Sequence, residues 1–170
     1  MALRADAARN RAAILAAASE AFAEHGPKAT TEQVAQQAGV AVGTVFRHFP
    51  TKDDLLVAIM KESLERLATL ADESTLADFF KAVVDEAART RMVVTALGES
   101  RLDIGDALRG LTDSVSRLLE QAKAAGEARS TIQVDEVMAL LTAATYAARQ
   151  SSWTTDLRQR TLAVILRGLR

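Results

Sequence analysis

The chain reads as an all-α protein, and three observations predict this. Alanine and leucine dominate the composition, only two of the 170 residues are proline and 4% are aromatic, a mixture that favours helix over strand. Apolar residues recur at i, i+3, i+4 and i+7 in one segment after another, the period of a helix buried along one face. Between these segments stand the residues that start and stop helices: threonines and serines ahead of them, glycines or a proline behind.

Bulk properties narrow the classes of function. The chain is long enough to bury a sizeable core without a covalent staple. It has no cysteine, which removes disulfides, thiol nucleophiles and thiolate metal sites and agrees with a reducing compartment. Two histidines, His25 and His48, are too few for most metal cages, and no cofactor is expected. The net charge of −1 argues against a wholly electrostatic nucleic-acid binder. Its distribution says more: residues 1–52 carry +2 and the rest of the chain −3.

The first helix is expected over about Asp6 to Glu24, because Ile14, Ala18, Ala21 and Phe22 fall on one face and Gly26-Pro27 supplies a stop. Glu20 interrupts its apolar run, so it reads as a mature helix and not as a secretory signal. The longest uncharged run elsewhere, Val137 to Ala148, is far shorter than the roughly 20 residues of a membrane-spanning helix, and the protein is expected in the cytoplasm. Arg4, Arg9 and Arg11 at the start of this helix read either as a solvated end or as phosphate contacts.

Residues 30–52, TTEQVAQQAGVAVGTVFRHFPTK, hold two short helices joined by a glycine turn. Thr30 or Thr31 opens the first, with Gln33 placed three after Thr30 as a capping box requires. Val34, Ala35 and Ala38 form its apolar stripe, and Gly39 stands where a helix ends with positive φ. The second runs from about Val42 to Phe49, turns Val45 and Phe49 to one side, and is stopped by Pro50. Two short helices so joined have the form of a helix-turn-helix, whose second helix enters the DNA major groove.

The order of residues within this stretch closely resembles the DNA-binding motif of the TetR family of bacterial transcriptional repressors. The matching pieces are Thr30-Thr31, Val34-Ala35, Ala38-Gly39-Val40, Gly43-Thr44, Phe46, His48-Phe49-Pro50 and Lys52, followed by Asp54-Leu55. The resemblance implies an N-terminal three-helix DNA-binding domain over residues 1–50 and a helical effector-binding and dimerisation domain over 51–170. It also implies that Val42, Gly43 and Thr44 meet base edges, and that Thr31, His48 and Lys52 hold backbone phosphates. Arg47 is long enough for a guanine or a phosphate. Phe46 replaces a frequent tyrosine, which removes a hydroxyl that would bond phosphate. Ala41 replaces the usual serine or threonine cap, at a cost of about 1 kcal/mol.

Beyond the motif, Thr51 caps a long helix with Asp53 and Asp54 in its first turn, and Leu55, Leu56, Ile59, Met60, Leu64, Leu67 and Ala71 keep one face apolar. Family resemblance makes this helix the transmitter of the effector's state. Ser74 or Thr75 caps the next helix, whose face is Leu76, Phe79, Phe80, Val83, Val84 and Ala87. A short apolar piece covers Met92 to Leu97, and Gly98, Gly105 and Gly110 mark an expected loop or broken helix. Another helix starts near Ala107 and ends near Gly126; the last two span about Val134 to Gln150 and Asp156 to Leu169.

Small residues at Ala143, Ala144, Ala147 and Ala148 allow close helix approach, either within the chain or, as the resemblance implies, with a second copy in a homodimer. Phe79, Phe80, Val83, Met92, Thr95, Tyr146 and Trp153 are the candidates to line an effector cavity, although bulky apolar residues are buried by default. Leu97 is a further apolar candidate, with Arg89, Thr142 and Thr145 as polar fixtures. The function expected is a repressor that binds a palindromic operator as a homodimer and is released by a small molecule. A ligand-independent helical interaction module, or a small enzyme, is the alternative. No nucleophile with its base, paired carboxylates or phosphate loop is legible to support the enzyme.

Overall fold

The computed structural model describes residues 2–89, 104–151 and 153–170, with the side chains of residues 2–5, 88 and 89 left aside. In order, its elements are α1 (Ala2–His25), a 3-10 turn (Gly26–Lys28), α2 (Thr31–Ala38), α3 (Val42–His48), α4 (Lys52–Glu73), α5 (Leu76–Arg89), α6 (Gly105–Ala124), α7 (Val134–Gln150) and α8 (Thr155–Leu169). The described residues contain no strand, as the periodicity predicts. None of the described helices is long and apolar enough to cross a membrane, and none of the described acids and histidines gather into a metal-binding group.

Packing divides the chain into two compact units at Glu62/Ser63, inside α4. In the first, α1 packs on α2 and α3. Ile14, Ala18 and Phe22 of α1, Val34 and Ala35 of α2, Val45 and Phe49, and Leu55, Leu56 and Ile59 of α4 are all nearly or fully buried. In the second unit, α5 lies against α7 and also touches α6 and α8. Its core holds Leu76, Phe79, Phe80, Val83 and Val84 with Val115, Leu118, Leu119, Val137, Leu141 and Leu162. A boundary between residues 50 and 51 would give all of α4 to the second unit. Burial divides the helix instead, with Leu55 to Ile59 in one core and Ala71 in the other.

Local signals set the helix ends. Thr51 accepts from the Asp54 N–H at 3.1 Å while its own N–H donates to Asp54 Oδ2 at 3.0 Å, a reciprocal cap at the start of α4. Thr75 accepts from the Asp78 N–H ahead of α5, and Thr154 from the Leu157 N–H ahead of α8. Gln133 and Glu136 form a capping box on α7.

Two expectations need correction. The first helix begins at Ala2 and not near Asp6, since nothing between them stops a helix. Gly105 and Gly110 lie in a helix, at its first position and in its second turn. Gly110, inside the helix, costs about 1 kcal/mol relative to alanine. Burial of Leu111, Val115, Leu118 and Leu119 on the same helix outweighs that. Met92 to Leu97 and Gly98 lie outside the described residues.

Candidate nucleic-acid interface

The interface is assembled from the N-terminus of α2 onwards. Thr30 is extended (φ −109°, ψ 155°); its Oγ1 accepts from the Gln33 N–H at 3.2 Å, and the Gln33 side chain accepts from the Thr30 N–H at 2.9 Å. Both halves of the capping box are thus made, and Thr31, half-buried, becomes the first helical residue. At the other end Gly39 adopts φ 68° and ψ 31°, and the Val40 N–H returns to the Ala35 carbonyl at 3.0 Å. The left-handed residue reverses the chain within three residues and delivers it to α3.

Only one side of α3 is held. Val45 is fully buried and Phe49 nearly so, while Gly43, Phe46 and Arg47 are exposed and Val42, Thr44 and His48 half-buried. Phe46 is 46% exposed, a large apolar ring left in water. Ala41 stands at the N-cap in extended conformation with no side-chain bond to the helix, as its substitution for serine or threonine implies. The leading N–H groups of α3 therefore have no side-chain cap.

Beside the C-terminus of α3 a shallow cleft of about 500 Å³ is lined by Arg11, His48, Phe49, Pro50, Asp53, Asp54, Val57, Ala58 and Lys61. The Arg11 guanidinium lies 5.3 Å from the centre of the Phe49 ring, a cation–π distance that ties α1 to the end of α3. Arg9 instead pairs with Asp6 on its own helix. Lys52 has a different environment from the other candidates. Its Nζ donates to the Pro27 carbonyl at 2.7 Å and to the Ala29 carbonyl at 2.9 Å, and lies 5.2 Å from the centre of the Phe22 ring.

The described effector candidates differ in their surroundings. Phe79, Phe80 and Val83 fill the second unit's core, and Tyr146 is 59% exposed. Trp153 is half-exposed, and Met92, Thr95 and Leu97, with the Arg89 side chain, lie outside the described residues. The hydroxyls of Thr142 and Thr145 donate to carbonyls of their own helix. A cleft of about 430 Å³ is lined instead by Ser63, Arg66, Leu67, Thr69, Leu70, Glu73, Ala82 and Glu86, on α4 and α5. Glu86 is 8% exposed and Ser63 3%. Glu86 Oε1 accepts from Ser63 Oγ at 2.5 Å and from Arg66 Nη2 at 3.0 Å. Sequence reasoning missed this cluster, although the signal was present: Ser63 and Glu86 interrupt otherwise apolar stripes at Leu56-Ile59-Ser63-Leu67 and Phe79-Val83-Glu86.

Ala143, Ala144, Ala147 and Ala148 of α7 also differ in burial. Ala144 is buried against its own unit and Ala143 is exposed, because neighbours along a helix point about 100° apart and α5 occupies one side.

A short helix anchored along one side, with its other side open and a left-handed turn before it, is how helix-turn-helix DNA-binding proteins carry a reading helix, and the site is of that class. Residues 14–59 match the model of bacterial regulatory proteins of the tetR family. Residues 71–170 match that of the C-terminal domain of SbtR-like transcriptional regulators. The chain belongs to the TetR family of bacterial transcriptional regulators.

Similar proteins agree. The HTH-type transcriptional repressor Rv3405c of Mycobacterium tuberculosis is 40% identical over 79 residues, which cover 46% of this chain and 42% of that protein. The repressor AcnR of Corynebacterium glutamicum is 31% identical over 109 residues, 64% of this chain and 54% of its own. The matched stretch thus spans about half or less of these curated relatives. Among solved structures, the TetR transcription regulatory protein of Mycobacterium vanbaalenii superposes with a TM-score of 0.77 at 34% identity, covering 99% of both chains. The regulator SCO0520 of Streptomyces coelicolor gives 0.72 at 30%, covering 94% of this chain and 98% of that one.

Proposed function

We propose that this chain is a cytoplasmic repressor that binds an inverted-repeat operator as a homodimer and leaves it when a small molecule binds the second unit. The observation that carries the reading is the open side of α3, where Gly43, Thr44, Phe46 and Arg47 lie outside the core that holds Val45 and Phe49, and Val42 is only partly buried against it. Thr44 and Arg47 read base edges or hold phosphate, while Thr31 and His48 position the motif on the backbone. Homology to proteins named as repressors supports repression over activation.

For the homodimer, three of the exposed large apolar residues fall on the last two helices: Tyr146, Leu157 and Val164. For the effector, the cleft between α4 and α5 is of a size that takes a small molecule and has both apolar walls and a polar cluster.

The test is selection of duplexes from a random pool by the purified protein, followed by a salt titration of the selected site. The expected site has two-fold symmetry, with half-sites about 34–36 Å apart or one further turn along, and its affinity falls steeply with salt. A selected site without two-fold symmetry, or binding indifferent to salt, overturns the reading.

A further inference from the structure

We propose that Lys52 is a positioning residue that clamps the helix-turn-helix through contacts within the chain, and that it does not contact DNA phosphate. The inference rests on the chain being a DNA binder, but its stability arm is read without DNA. Lys52 is the first residue of α4, where the positive end of the helix dipole is unfavourable for a cation. The ammonium bends back to the 3-10 turn instead, donating to the carbonyls of Pro27 and Ala29. It also lies over the ring of Phe22, which is 1% exposed.

Two of the three ammonium donors are therefore spent on backbone oxygens, and the charge faces a buried ring. These contacts join three parts of the first unit: the last turns of α1, the α1–α2 connection and the start of α4. Ala29 directly precedes Thr30, the residue that caps α2, so the bond to its carbonyl fixes where α2 begins and hence where Gly39 and α3 follow. An ammonium suits this place because its donors are tetrahedral and converge on two carbonyls from one atom. The planar fork of an arginine does not.

A clamp and a phosphate anchor leave different marks when Lys52→Met is compared with the wild-type chain. Loss of a phosphate contact makes the slope of log affinity against log salt shallower by about 0.9 for each phosphate, with little change in melting temperature. Loss of a clamp lowers the melting temperature and leaves the slope unchanged. At a temperature where the variant is fully folded, its affinity should still fall roughly tenfold at every salt concentration, because fewer molecules hold the motif in register. A role in stability alone would not move that last quantity. Lys52→Arg should fail to restore it. A shallower slope, an unchanged melting temperature or an unchanged affinity of the folded variant each overturns the proposal.

Should Lys52→Met not fold, amine labelling of the wild-type chain decides the matter. The clamp predicts that Lys52 is already protected without DNA, relative to the exposed Lys28, and gains no protection when DNA is added. Protection that appears only with DNA refutes it. If the wild-type chain binds no duplex at all, the DNA-binding reading fails, while melting and labelling in the absence of DNA still report on the clamp.

Discussion

A methyl group added at Gly43 would meet no atom within 4 Å, and the backbone there is ordinary helix, so nothing in the folded chain asks for glycine. On the proposed reading the demand comes from outside, from DNA approaching α3 closely. Gly43→Ala is therefore expected to stabilise the free protein by up to about 1 kcal/mol, by removing glycine's helix penalty, and at the same time to weaken operator binding. Chemical denaturation and fluorescence anisotropy check the two halves; a variant that binds as tightly as the parent takes Gly43 out of the interface. At Ala41 the extended, exposed N-cap awaits a hydroxyl, and Ala41→Ser should add about 0.5–1 kcal/mol. A lower melting temperature would show that the serine does not cap α3. Thr30, Gly39 and Ala41 were legible because their roles are local: a hydroxyl or its lack at a helix start, a missing Cβ at a helix end. Lys52 was not, since its partners at Pro27 and Ala29 stand more than twenty residues away.

The helical stripe of α5, from Leu76 to Ala87, matches its buried face, because burial repeats with the helix period. Such stripes do not say which side of a mixed surface meets a neighbour within the chain, so they left open whether Ala144 of α7 packs in its own unit, where it is buried, or on a second copy. Gly110 misled for the opposite reason: a breaker read in isolation is overruled when the residues after it are buried. Burial decides which position can test the homodimer. Ala144 belongs to its own unit's core, so a charge there would unfold the protomer before it reported on a partner. Val164, 60% exposed on α8, is the informative position. Val164→Glu should change the stability of the single chain by no more than about 0.5 kcal/mol, yet shift sedimentation from dimer to monomer. A variant that still sediments as a dimer places the interface elsewhere.

For the whole molecule, release by a ligand requires that the ligand prefer the form that does not bind DNA. The coupling for such systems is typically about 1–3 kcal/mol, or roughly 5- to 150-fold in affinity. Linkage makes it reciprocal: any compound that raises the melting temperature and weakens operator binding should itself bind more weakly, by the same factor, when operator is present. Calorimetric titration with and without DNA measures both sides, and a compound indifferent to DNA is not the effector. Glu86→Gln should alter ligand affinity if the α4–α5 cleft is the site, and leave it untouched if the ligand binds elsewhere. The division of α4 between two cores bears on how such regulators can be recombined. A DNA-reading head excised after Pro50 would leave behind Leu55, Leu56 and Ile59, three of its own buried side chains, and expose Phe22 and Val45 that pack in the same core. Grafts between relatives should therefore be spliced after Glu62, so that the first turns of α4 travel with the head whose core they complete. Chimeras joined at Pro50 are expected to fold only where donor and acceptor carry matching residues at these three positions.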